Sequence, residues 1–384
     1  MTNGFPIDKT AFLVIHGIGE QNPFETLDSF ARGLINHLRS EEIAFNASHQ
    51  IIERKGASGS GWIENYVRLT SAEGTDIIDI NEYYWAYLTE EKITLSETWD
   101  WVERTLEGTK NFYKENEELA RRYENKGQIR FRLEDAASYL RWLWLISPFI
   151  RLMALILSIF RPARSSMIHN LIKGIEGYLR PMIVGYIGDI AIYTTMDEKS
   201  RFFRLRQQIL AESQALLESI LDDDYDRVII AGHSLGSVIA YDTLNRLNIR
   251  ANLPGGAKLP IEKLNGLITF GSPLDKIAFF FREHTKEDQW IRRQIIEHLH
   301  SFKAKPFNFD EVPYKLTNTI SRKLDNILWV NYYNENDPIS GHLDFYQIPD
   351  EDNIKIELPG PWGTAHVQYW DCPGFYKDIA KRFL

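Results

Sequence analysis

The chain has 384 residues, 44% hydrophobic and 25% charged, an ordinary globular balance that excludes disorder, collagen-like repeats and a polytopic membrane protein. Its 44 Lys and Arg stand against 53 Asp and Glu, for a formal net charge of −9; an acidic chain repels phosphate backbones, which excludes general nucleic-acid binding. The single cysteine, Cys372, forms no internal disulfide or thiolate metal cluster, so nothing points to an oxidising compartment.

Met1–Thr10 is polar, and the apolar run Ala11–Ile15 is too short for a secretory h-region. The expected location is therefore cytoplasmic. The run reads instead as a buried strand, stopped by His16-Gly17-Ile18-Gly19. Within Thr26–Arg39, residues Leu27, Phe30, Leu34, Ile35 and Leu38 share one helical face, which predicts an amphipathic helix on a sheet. Ile51-Ile52, Tyr66–Leu69 and Ile77–Ile80 read as strands, the third running into Glu82-Tyr83-Tyr84-Trp85. Residues 88–200 read as helical. A helix over Phe203–Leu221, a strand at Val228–Ala231 and a helix from Ser234 to Leu247 follow. Strands are predicted at Leu267–Phe270, Ile327–Tyr332 and Ile354–Leu358, before a C-terminal helix from about Tyr376. Short apolar strands bounded by helices predict an α/β fold with a mainly parallel sheet covered on both faces.

Chemistry concentrates at Gly232-His233-Ser234-Leu235-Gly236, a Gly-x-Ser-x-Gly pattern between an apolar strand and a helix. A strand that turns directly into a helix leaves the serine strained with its hydroxyl presented, while the flanking positions run so close to other backbone that a Cβ would clash. The helix behind the serine directs its N-terminal partial positive charge at the reacting centre. A glycine-rich turn after a core strand is the plainer reading of the same residues.

With this context the chain resembles the α/β-hydrolase superfamily, and its lipase- and esterase-like serine hydrolases in particular. The resemblance spans roughly residues 10–86 and 203–384. It implies an α/β-hydrolase sheet with a large helical lid or cap inserted at 88–200. His16-Gly17-Ile18-Gly19-Glu20-Gln21 looks like the His-Gly segment that supplies an oxyanion-hole amide, which pairs Ile18 N–H with Leu235 N–H; Gly17 and Gly19 are alternative donors. On this fold the triad runs Ser, acid, His along the chain. Asp337, in Asn334-Glu335-Asn336-Asp337-Pro338, looks like the acid, with Asp275 and Glu335 as rivals. His366 is the histidine placed after the last strand, ahead of His284, His298, His300 and His342. The resemblance thus implies Ser234, Asp337 and His366 as the catalytic residues, with no cofactor and no metal. His16 and His233 are expected to support their loops by hydrogen bonds. Glu82, Trp85 and Gly188-Asp189 also resemble hydrolases that carry the His-Gly-Ile-Gly motif, without a physical role that follows from sequence. The chain departs from the general pattern in starting almost at the oxyanion strand, with no room for two strands before it.

The region 88–200 contains the most apolar stretch, Trp142–Phe160, interrupted by Pro148 and Arg151. Residues 141–180 carry Arg141, Arg151, Arg161, Arg164, Lys173 and Arg180 against Glu176, a net +5. Trp142 and Trp144 at one end and Arg161 and Arg164 at the other suit a lid helix, a helix lying in a lipid interface, or a membrane span. The expected activity is hydrolysis of an apolar, lipid-like carboxylic ester, with an anionic membrane surface as partner and peripheral attachment on the inner face. The alternatives are a thioesterase, amidase or peptidase on the same triad, and a non-catalytic membrane-associated scaffold.

Overall fold

The computed structural model describes residues 9–17, 22–55, 61–89, 201–254, 259–275, 288–305, 312–337, 339–359 and 365–384. The chain divides into two units, one of Met1–Leu88 with Met196–Leu384 and the other of Thr89–Thr195. The expectations for 142–160, for the basic residues 141–180 and for Gly188-Asp189 lie outside the described residues, and so does Ile18.

The first unit is α/β. Strands β1 (Thr10–Ile15), β2 (Phe45–Lys55), β3 (Gly61–Ser71), β4 (Ile77–Tyr83), β5 (Arg227–His233), β6 (Leu264–Phe270), β7 (Leu328–Tyr333) and β8 (Asn353–Lys355) form one eight-stranded sheet in the order β2-β3-β4-β1-β5-β6-β7-β8. Only β3 runs against the rest, pairing antiparallel with β2 and β4; the other pairings are parallel. The helices are α1 (Glu25–Ser40), α2 (Ala86–Thr89), α3 (Arg201–Asp222), α4 (Leu235–Ala251), α5 (Trp290–Leu299) and α6 (Pro373–Phe383).

The all-apolar runs became the central strands. β1 is buried throughout and β5 almost so, because helices cover both faces of a parallel sheet. Alternate residues divide between those faces. Phe12, Val14, Ile229, Ala231, Ile268, Phe270, Val330 and Tyr332 join one core with α1 and α6. Their neighbours Leu13, Ile15, Ile230 and Leu267 are buried on the opposite side, where α4 packs on β1, β5 and β6 and α3 packs on α4.

Three expectations change in shape. The strands expected at Ile51-Ile52 and Tyr66–Leu69 are the middles of a long antiparallel pair that forms the sheet's edge. Exposed Ile51 and Ile63 lie on it. The last strand is only Asn353–Lys355, although Ile356 N–H still donates to Tyr333 O at 2.9 Å. The C-terminal helix starts at Pro373, earlier than expected, since proline's missing N–H costs nothing in a first helical turn. Among the described residues, no helix is long and apolar enough to cross a membrane.

Candidate active site

Ser234 sits between β5 and α4 at φ 51° and ψ −126°. A non-glycine residue in this region carries roughly 1–3 kcal/mol of strain, so the surroundings must impose it. Ser234 N–H donates to Phe270 O on β6 at 3.0 Å, and Ser237 N–H returns to Ser234 O at 3.0 Å. The Ser237 hydroxyl also donates to Ser234 O and meets Ser272 Oγ at 2.7 Å. The flanking glycines permit this crossing. A Cβ on Gly232 would lie 2.4 Å from Gly236 O, and one on Gly236 would lie 2.3 Å from Ile15 O. Gly17 packs against the serine itself, where a Cβ would lie 2.6 Å from Ser234 Cβ. The Ser234 hydroxyl is buried and makes no hydrogen bond among the described residues. Contacts between nucleophile and base commonly tighten only when substrate is bound.

Asp337 follows β7 in a turn pinned by Asn334, whose Nδ2–H donates to Ile356 O at 2.7 Å. One Asp337 oxygen accepts the backbone N–H of Ile339 at 2.9 Å and of Ser340 at 3.3 Å, an Asx-type turn that aims the other oxygen inward. That second oxygen accepts His366 Nδ1–H at 2.9 Å and the Tyr369 hydroxyl at 3.0 Å. Burial alone would raise this carboxyl, but the bonds from His366, Ile339 and Tyr369 outweigh it and hold its pKa at about 2. A carboxylate only accepts, so Nδ1 carries the imidazole proton and Nε2 is left as the basic nitrogen.

The structure therefore brings Asp337 and His366 together and puts the rivals elsewhere. Asp275 accepts the backbone N–H of Asp344 at 2.7 Å and of Phe345 at 3.2 Å. Glu335 pairs with Lys355 at 2.8 Å on the surface. His342 pairs with Asp344 at 3.0 Å. His298 and His300 lie at the end of α5, and His284 is outside the described residues.

Leu235 opens α4, where the first amides have no intrahelical acceptor and the helix dipole is positive. Its proposed partner Ile18 is outside the described residues, which end at Gly17 and resume at Asn22. Comparison with protein-family models and with curated proteins returns no match for this chain.

Four further residues gather around Ser234, Asp337 and His366. His366 lies on a 3₁₀ helix, Ala365–Asp371, rather than a loop. Three residues per turn eclipse positions i and i+3, which sets Tyr369 beneath His366 and onto the same carboxylate. His233 is buried with its pKa lowered to about 3, chiefly by burial and then by His366. Being neutral, it donates Nε2–H to the His366 carbonyl at 2.8 Å. Trp370 meets the His233 ring edge-on at 5.1 Å. His16 is also buried and neutral, its pKa lowered to about 4 by burial. Among the described residues no three His, Cys, Asp or Glu side chains converge on a metal position.

Proposed function

We propose that the chain is a serine hydrolase of the α/β-hydrolase type that cleaves a carboxylic ester by acyl transfer. The observation that carries this reading is the buried Asp337–His366 pair, 2.9 Å apart, at the same sheet end as a serine held in a strained strand-to-helix turn. The sheet supports it too. The resemblance implies two strands ahead of the oxyanion strand in sequence; here β2 and β3, which follow β1 in sequence, form that sheet edge beyond β4, and β4 lies next to β1.

In this reading Ser234 Oγ forms a bond to the ester carbonyl carbon while its proton passes to His366 Nε2. Asp337 keeps Nδ1–H in place and stabilises the imidazolium. The amides of Leu235 and Ile18 hold the oxyanion. As the carbon–oxygen bond breaks, His366 returns the proton to the leaving alcohol, and water repeats the sequence to free the acid. The apolar, basic character of residues 141–180 supports a lipid-like substrate at an anionic surface, with peripheral attachment inside the cell.

Fluorophosphonate labelling tests the chemistry. The wild type should label, and Ser234→Ala and His366→Ala should not. Absence of wild-type labelling beside a labelled control hydrolase would remove the enzyme claim in favour of a scaffold. A panel of activated esters, thioesters and peptides then ranks the acyl group. Deleting residues 140–165 should abolish sedimentation with anionic liposomes while sparing hydrolysis of a short soluble ester; unchanged sedimentation sinks the membrane claim.

A further inference from the structure

The residues Glu82 and Trp85 stand at the end of β4, beside the start of the oxyanion segment. β4 and β1 are parallel neighbours in which Val14 pairs with Glu82 and Ile15 with Tyr83. Two sets of bonds reach from this strand end across to His16 and to Phe24.

On the near side, Trp85 N–H donates to His16 Nε2 at 3.0 Å, and the indole N–H of Trp85 donates to His16 O at 3.0 Å. The two rings stack, with centroids 5.0 Å apart and planes 2° from parallel. With Nε2 accepting, the imidazole proton must sit on Nδ1, and Nδ1 lies 2.7 Å from Gly17 O. On the far side, Glu82 Oε2 accepts Phe24 N–H at 2.8 Å, and its carboxylate faces the amides of Thr26 and Leu27 in the first turn of α1. Phe24 is itself left-handed at φ 72° and gives α1 no side-chain cap; the Glu82 carboxylate supplies that cap from another strand.

Both anchors place a polar group where burial opposes its charge: His16 is driven neutral, and the Glu82 carboxyl is pushed up by burial against the donors around it. Apolar residues would fill these positions at less cost.

We propose that Glu82, Trp85 and His16 are positioning residues that brace the oxyanion segment from β4, with His16 fixing the Gly17 carbonyl and Glu82 fixing the Phe24 amide. The Gly17 carbonyl belongs to the peptide unit that carries the next amide of the chain. That amide is the donor assigned to the oxyanion in the hydrolase reading, on which this inference rests. The brace is fastened at its foot, where Tyr83 donates to Ile209 O at 2.9 Å and Tyr87 to Glu212 at 2.5 Å, both on α3.

The test compares paired variants in the full chain, with an activated short ester as substrate and a trifluoromethyl ketone as the tetrahedral mimic. His16→Gln cannot reach Gly17 O from the Nδ1 position, whereas the shorter amide of His16→Asn can. Glu82→Ala removes the acceptor for Phe24 N–H, whereas Glu82→Gln keeps one. We expect His16→Gln and Glu82→Ala to lower kcat roughly tenfold to a hundredfold and to weaken the ketone in parallel, with KM within about twofold. His16→Asn and Glu82→Gln should recover most of that loss, which a merely structural role would not produce. Wild-type kcat in the first pair, or no difference between the pairs, would overturn the brace. Should the wild type neither hydrolyse esters nor take a fluorophosphonate label, the hydrolase reading fails separately. Amide exchange still reads the Glu82 anchor: at Phe24, whose N–H Glu82 accepts, it should quicken at least about tenfold in Glu82→Ala and recover in Glu82→Gln, and unchanged exchange would overturn it.

Discussion

In the proposed reaction His366 acts as a base only while its proton stays on Nδ1, and two residues hold it there. Asp337 accepts the Nδ1–H hydrogen bond directly, and Tyr369 donates to the same carboxylate oxygen. Replacing Asp337 by Asn presents an N–H₂ that favours the opposite tautomer; we expect kcat to fall by about 10⁴-fold with the fold intact. Tyr369→Phe should cost only about tenfold, because the carboxylate keeps its other donors, and the acid limb of the kcat/KM profile should reveal the change. Single-turnover ester hydrolysis checks both. A motif and an order along the chain single out Ser234, Asp337 and His366 in the sequence, and the structure brings Asp337 and His366 together. Neither singles out Tyr369: a tyrosine in a Gln-Tyr-Trp stretch reads as core, and only the three-residue turn of the helix below His366 gives it a second partner. His16 and Trp85 are far apart in sequence, and a parallel strand register makes them neighbours.

At the scale of elements, the edge pair β2–β3 is held to the body by a buried ionic group. Arg54 and Glu64 are 4% and 6% exposed, and Arg54 also reaches Ser219 O and the Asp223 carboxylate at the end of α3. The burial cost is large on both sides, so removing one partner should hurt more than removing both. Arg54→Met should cost about 3–5 kcal/mol, and Arg54→Met with Glu64→Leu should regain most of it. Urea unfolding of the two variants measures the difference. This pair was hidden in sequence, where the flanking strands read as only a few apolar residues each. An edge strand exposes its outward residues, as Ile51 and Ile63 do, so its hydrophobic pattern is diluted. The opposite difficulty applies to α4. Nearly every residue from Leu235 to Asn248 is buried, leaving no polar face to mark a helical stripe; the Gly-x-Ser-x-Gly motif located it instead.

For the whole molecule, the positions that organise the site also set its response to acid. His16 and His233 are neutral when folded, with pKa values lowered to about 4 and about 3, while an unfolded histidine titrates near 6.5. Between those values the unfolded chain binds protons that the folded chain refuses, so stability falls as pH drops below about 6.5. At pH 5 each should have cost about 2 kcal/mol. His342, raised by its bond to Asp344, acts in the opposite sense. Asp337 adds nothing until lower pH, where its stabilising contribution is lost as the pH falls from about 4 towards about 2. The carboxyls of Glu64 and Glu82, both raised chiefly by burial, protonate more readily folded than unfolded and oppose the loss. The urea midpoint should therefore drop as the pH is lowered from 7 to 5. The fall should be clearly smaller in His16→Asn with His233→Gln, whose buried amides have no proton to gain. An equal fall in that double variant would place the acid sensitivity outside His16 and His233, and would separate the molecule's stability from the residues packed around Gly17 and His366.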